Sequence, residues 1–163
     1  MAKPLAKSFK IDLSIINSAI KSNENRSKTL LNRILKISKN KVRNKVITFL
    51  GVTFKANTDD MRESPCLKLI PPLISKGVKI NYYDPTGPKK ELEKLKNVSF
   101  SNNVVDATKK ADLIVIHTEW NEFKQLNFKK LTKNKNVIVY DMRNIYLPEK
   151  MKKNGIKFYA VGK

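Results

Sequence analysis

Apolar residues in this chain follow two spacings, and the change from one to the other falls near residue 45. Within residues 9–37 they recur at helical intervals, as Ile16, Ala19 and Ile20 and then as Leu30, Leu31, Ile34 and Leu35. Between these clusters Lys21-Ser-Asn-Glu-Asn-Arg-Ser-Lys28 is polar on every side. The segment therefore predicts either one long helix bridging two bodies or two shorter helices. The basic residues 39–45 predict a connector.

Beyond it the pattern becomes short β-branched runs at 46–50, 78–83, 98–100, 113–116, 137–140 and 156–159. Amphipathic stretches at 66–75, 89–96, 104–110, 128–133 and 148–153 lie between them. Strand–helix alternation of this kind builds parallel βαβ units with helices on both faces of one sheet. The runs ahead of Thr53 and His117 are almost continuously apolar, as strands covered on both faces must be. Gly77 and Gly155 follow helical stretches, where a left-handed C-cap needs glycine. The expected fold is α/β: a Rossmann-like parallel sheet of about six strands, preceded by a long N-terminal helix. The expected division is a helix and connector over residues 1–44 and a sheet domain over 45–163.

Composition narrows the function classes. At 163 residues, 40% of them hydrophobic, the chain can bury a core and is not disordered. No run approaches the ~20 apolar residues of a membrane span. The first residues carry no signal-peptide pattern, and the single cysteine, Cys66, suits a reducing compartment. A cytoplasmic protein is expected. The net charge of +20 invites a nucleic-acid reading. Arginines stand only at 26, 33, 43, 62 and 143, however, and the remaining positive charge is scattered lysine. Without a zinc-finger, RNP or helix-turn-helix pattern, a solvated lysine surface is the expectation and nucleic acid is not an expected partner.

Ligands of open α/β sheets bind beyond the carboxyl ends of the strands, so the loops after Leu50, Ile116 and Tyr140 carry the candidate chemistry. The first reads Gly51-Val-Thr-Phe54-Lys55-Ala-Asn-Thr-Asp-Asp-Met-Arg62-Glu-Ser-Pro65. Its one glycine cannot reproduce the G-x-G-x-x-G cradle of a dinucleotide site. It offers instead the cations Lys55 and Arg62, and Ser64-Pro65 as an N-cap and N1 pair for the next helix. The alternative is a surface loop with an internal Arg–Asp pair. Asp84 stands where a dinucleotide fold places its ribose-binding acid, but Pro85 follows and a turn role is expected. His117 has no second histidine for a metal site or triad and reads as a packing residue. Cys66 opens an apolar run and reads as buried and structural. Arg143, in Asp141-Met-Arg143-Asn144-Ile-Tyr146, could grip a diphosphate bidentately or pair with Asp141 or a helix end.

The loop at residues 51–65 resembles the signature that opens the carboxyl-terminal domain of the UDP-glucose dehydrogenase family. Tyr83-Asp84-Pro85, Thr118-Glu119-Trp120 and Arg143-Asn144-Ile145-Tyr146 follow in that family's order and approximate spacing. The resemblance implies an enzyme that oxidises the sugar C6 alcohol to a carboxylate in two NAD-dependent steps, through an intermediate on a catalytic cysteine. It implies a central helix over residues 9–37 that forms a homodimer core, and a following domain that closes over the UDP-sugar. By residue match, Phe54, Lys55 and Arg143 would contact the UDP-sugar, and Arg62 would reach toward NAD.

The family's amino-terminal glycine fingerprint, its Gly-Gly-Ser-Cys catalytic segment and its substrate-binding lysine and asparagine have no counterpart here. Cys66 lies downstream of Arg62-Glu-Ser-Pro65 and does not match the catalytic cysteine. A chain alone of this kind is expected to be inactive. It would be a piece of a longer polypeptide or the product of a split or decayed gene, with a separately encoded NAD-binding half as one partner. Two other readings stay open. One is a free-standing module binding a sugar nucleotide or a nucleic acid. The other is part of a related GDP-mannose or UDP-N-acetyl-hexosamine dehydrogenase.

Overall fold

The computed structural model describes residues 14–162. Residues 9–13 of the expected helix lie outside them. Helix α1 (Ser14–Ile37) is continuous through the polar middle, so the single long helix is the form adopted. It ends where Lys39 and Asn40 both take left-handed conformations, with Asn40 N–H donating back to Leu35 O.

The remaining elements are β1 (Val46–Leu50), α2 (Cys66–Ser75), β2 (Lys79–Tyr83), α3 (Lys90–Glu93), β3 (Val98–Phe100), α4 (Val104–Thr108), β4 (Leu113–Ile116), a 3₁₀ turn (Asn121–Gln125), α5 (Phe128–Leu131), β5 (Ile138–Asp141), α6 (Pro148–Lys153) and β6 (Lys157–Ala160). All six strands are parallel, in the order β3-β2-β1-β4-β5-β6. Every predicted strand is present, displaced by at most one residue. The 3₁₀ turn was not foreseen, since five residues with only Phe123 buried carry no periodic signal.

Alternation along the strands sorts the core into two layers. Ile47, Phe49, Leu113, Val115, Tyr82 and Tyr140 pack with Leu69, Ile70 and Leu73 of α2 and with Leu30, Ile34 and Ile37 of α1. Leu50, Ile114, Ile116 and Val139 face the other way, against Phe123, Phe128 and Met151. The carboxyl-terminal half of α1 thus packs on the sheet, and Ile15 and Ile16 at its other end are exposed. Gly77 and Gly155 hold the left-handed positions expected of them, and each helix end is closed by a paired backbone bond, Val78 N–H to Leu73 O and Ile156 N–H to Met151 O.

Register decides where a ligand can sit. Leu50 lies beside both Tyr83 and Ile116, and Ile116 lies beside Asp141. The carboxyl ends of β1, β2, β4 and β5 therefore form one row, and the loops after them open on one edge. Strand order reverses between β1 and β4, which places the crevice between the loops beginning at Gly51 and His117.

Candidate functional site

Three loops are tied together at this edge. Gly51 has φ +75°, and a Cβ there would lie 2.5 Å from Thr118 Cβ, so the β1 and β4 loops meet at van der Waals contact. Thr118 Oγ1 donates to Thr53 O (2.9 Å), closing the same junction. Arg143, from the β5 loop, reaches across both: Nε donates to His117 O (2.6 Å) and Nη2 to Phe54 O (3.3 Å). Its Nε also lies 2.9 Å from Glu119 Oε2.

The pairing of Arg143 with Asp141, one of the two outcomes the sequence allowed besides ligand binding, does not occur. The Asp141 carboxylate accepts the backbone N–H groups of Arg143 (2.9 Å) and Tyr146 (3.0 Å) instead. Burial raises the Asp141 pKa, and those backbone donors only partly offset it.

Of the residues expected to contact ligand, Phe54 and Arg143 are brought together and Lys55 and Arg62 are not. Phe54 is 46% exposed on the rim, its N–H closing the loop onto Asp60 O. Lys55 is exposed. Arg62 grips Asp60 through Nε and Nη2 on the outer limb of the loop, the internal Arg–Asp pair that the sequence also allowed. That contact holds the Asp60 carboxyl down at about 2 and raises the Arg62 pKa. Both residues face water, so the pair adds little to stability.

Ser64 does not cap α2. The helix starts after Pro65, and the Ser64 hydroxyl turns inward to donate to Val52 O (2.6 Å). N–H groups in the first turn of α2 already bond Ser64 O and Pro65 O, whereas the buried Val52 carbonyl needs a donor.

Asp84 does more than shape a turn. Its buried carboxylate accepts Val52 N–H (2.8 Å) and, at longer range, Thr53 N–H and Oγ1, and on its other oxygen Thr86 N–H and Oγ1. The buried Lys89 ammonium stands 3.8 Å away. Asp84 is thus the clamp that fixes the base of the Phe54-bearing loop. The sequence reads Asp84 as a turn residue, which its bonds to Thr86 fit, and Glu119 only as a motif member. What it hides is the Asp84 bond to the β1 loop and the Glu119 approach to Arg143, both between segments distant in the chain.

The two residues that could suggest reaction chemistry are both buried. Cys66 is enclosed beside Ser64 and Val52 O, and burial pushes its thiol up to about 12. His117 is fully enclosed, and burial, followed by the Arg143 charge, lowers its pKa to about 3. Thr118 Oγ1 gives its one proton to Thr53 O, so at 3.1 Å it accepts from His117 Nδ1–H, and the neutral ring carries its proton there. Both side chains are buried, as expected from the sequence.

His117 makes stability pH-dependent. The unfolded chain binds a proton on this ring below about 6.5 and the folded chain resists it, so stability is full above that pH and falls as pH drops toward 3. Between pH 7 and pH 5 the expected loss is on the order of 2 kcal/mol. Thermal melts across that interval read it, and the slope should flatten in His117→Gln.

The site is a guanidinium held at the strand-order switch of an open parallel α/β sheet, the edge at which folds of this class bind ligands. Comparison with known proteins gives the family. The profile of the UDP-glucose/GDP-mannose dehydrogenase family, UDP binding domain, matches residues 48–148, and the chain belongs to this family. UDP-glucose 6-dehydrogenase of Rickettsia conorii is 41% identical over 162 residues, covering 97% of this chain and 37% of its own. The enzyme of the same name from Rhizobium meliloti is 31% identical over 150 residues, covering 91% of this chain and 34% of its own. Among solved structures, a UDP-glucose dehydrogenase from Pyrobaculum islandicum superposes on 96% of this chain and 33% of its own, with a TM-score of 0.74 at 21% identity, a likeness of fold. A UDP-D-ManNAc dehydrogenase from Pyrococcus horikoshii does so over 96% of this chain and 35% of its own, at TM-score 0.71 and 29% identity. The chain spans a little over a third of the length of the curated relatives it matches.

Proposed function

We propose that this chain is the nucleotide-sugar-binding part of a UDP-glucose 6-dehydrogenase, the enzyme that converts UDP-glucose to UDP-glucuronate with NAD as oxidant. On this reading residues 1–44 are the central helix and connector, residues 45–163 the carboxyl-terminal UDP-sugar domain. Phe54, Lys55 and Arg143 contact the UDP-sugar, and Arg62 reaches toward NAD held by another domain. The observation that carries it is Arg143. Two backbone carbonyls from different loops hold its guanidinium at the strand-order switch, and both Nη1 hydrogens and one on Nη2 have no protein acceptor among the described residues. A diphosphate supplies acceptors of the geometry they need.

NAD itself does not fit this sheet. Gly51 is filled by Thr118 rather than left open for a pyrophosphate, and Asp84 is consumed by the β1 loop, so no ribose hydroxyl can reach it. The dinucleotide and the reactive thiol therefore belong to sequence outside this segment, and no oxidation step is assigned to these residues. Exposed Ile15 and Ile16 favour self-association along α1, and a homodimer is the expected assembly. Analytical ultracentrifugation at tens of micromolar reads it. No helix among the described residues is long and apolar enough to cross a membrane.

The test is calorimetry or ligand-observed NMR with UDP, uridine and pyrophosphate. UDP is expected to bind at high-micromolar to millimolar Kd, roughly 4–6 kcal/mol, because the open cleft leaves the charges screened by water. Arg143→Ala should weaken it about tenfold or more, Lys133→Ala should not, and uridine should compete only at far higher concentration. Equal binding by Arg143→Ala and the unaltered chain, or UDP binding no better than pyrophosphate, refutes the placement.

A further inference from the structure

Arg143 is not a bare cation in the crevice. Glu119 Oε2 sits 2.9 Å from its Nε, buried at that atom and accepting no aligned hydrogen bond, although the Glu119 side chain as a whole is 41% exposed. This carboxylate is not what steers the guanidinium. His117 O already holds Nε at 2.6 Å, and Phe54 O holds Nη2 at 3.3 Å. Asp141 makes no ion pair with Arg143, its oxygens turning instead to backbone N–H groups of its own turn. What Glu119 adds is a full negative charge beside the group that would meet an anionic ligand.

We propose that Glu119 is the internal counter-ion of Arg143 and sets the affinity for the diphosphate of a nucleotide sugar below what the cation alone would give, so that ligand exchanges readily. The proposal rests on the reading that Arg143 meets the diphosphate. Glu119 then acts through the charge of Arg143, by tuning it rather than positioning it, and without contact to reacting atoms. Its effect has a signature that packing lacks. Repulsion between Glu119 and a ligand grows with the ligand's charge, so it weakens UDP most, UMP less and uridine not at all. A residue that merely supports the loop would move all three alike.

The experiment is calorimetry on the full chain and on Glu119→Gln, Glu119→Asp and Arg143→Ala, with UDP, UMP and uridine, at low and at physiological salt. Glu119→Gln keeps the shape and removes the charge. It should tighten UDP by about three- to ten-fold at low salt, tighten UMP by less and leave uridine unchanged, and the gain should shrink as salt is added. Glu119→Asp retains the charge and should stay near the unaltered chain. Melting temperatures of the variants guard against misfolding. No gain for UDP in Glu119→Gln, or an equal shift for uridine, overturns the counter-ion role, while loss of UDP binding in Arg143→Ala leaves the site itself standing. UDP binding that is indifferent to Arg143→Ala removes both.

Discussion

Gly51→Ala is expected to destabilise the chain by about 3–5 kcal/mol and to abolish UDP binding with it. Two costs add at this residue. The backbone is left-handed, at φ +75°, which strains any residue with a Cβ by about 1–2 kcal/mol. The new Cβ would also stand 2.5 Å from Thr118 Cβ and 2.9 Å from Thr118 Oγ1, so the β1 and β4 loops would have to part. Parting them breaks the Thr118 Oγ1 bond to Thr53 O and displaces the two carbonyls that hold Arg143. Gly87 supplies the control. It is equally left-handed, at φ +85°, but nothing lies within 4 Å of a Cβ built there, so Gly87→Ala should show only the conformational part. For a chain of this length the difference in melting temperature between the two variants should be on the order of 5–10 °C. Equal effects would mean that the loops can separate without cost.

Asp84→Ala should cost a similar amount, about 3–5 kcal/mol, for a different reason. The side chain is buried, and so is Lys89, 3.8 Å away with a side chain only 5% exposed. Removing the carboxylate leaves a buried ammonium with hydroxyl and carbonyl partners from Thr86 but no countercharge, and it strips the acceptor from Val52, Thr53 and Thr86 N–H. Lys89→Met in the same chain should recover part of the loss, because an apolar stem needs no countercharge. A double-mutant cycle in urea, with the slope unchanged and the midpoint shifted, isolates that coupling. If the Asp84→Ala loss is unchanged by Lys89→Met, the carboxylate acts through the loop N–H groups alone.

Legibility followed the range of the interaction involved. Strands with continuous apolar runs, such as Leu113-Ile-Val-Ile116, are buried on both faces, so each residue reports the same environment and the bounds are readable to within one position. Gly77 and Gly155 were equally plain, because a left-handed residue closing a helix is a local requirement. Pro71 and Pro72 argue locally against a helix at 66–75, yet α2 is continuous through them because Leu69, Ile70 and Leu73 are buried against the sheet. Ser64 has the local chemistry of a cap and was claimed by the carbonyl of Val52, twelve residues earlier, once the loop folded back.

Residue types and periods along the chain are enough to establish a six-stranded parallel sheet, an edge bearing the loops after Leu50, Ile116 and Tyr140, and cations waiting in those loops. They are enough because hydrophobic burial, chain stiffness and left-handed turns act over a few residues. Which cation is held toward the crevice is a matter of register and long-range pairing. Leu50, Tyr83, Ile116 and Asp141 fall in one row, and only then does Arg143 meet Phe54 O, His117 O and Glu119, while Arg62 is captured by Asp60 two residues away. The same guanidinium chemistry appears at both positions. Carbonyls and carboxylates brought together from separate strands give Arg143 a place at the crevice, and a neighbour in sequence keeps Arg62 at the surface.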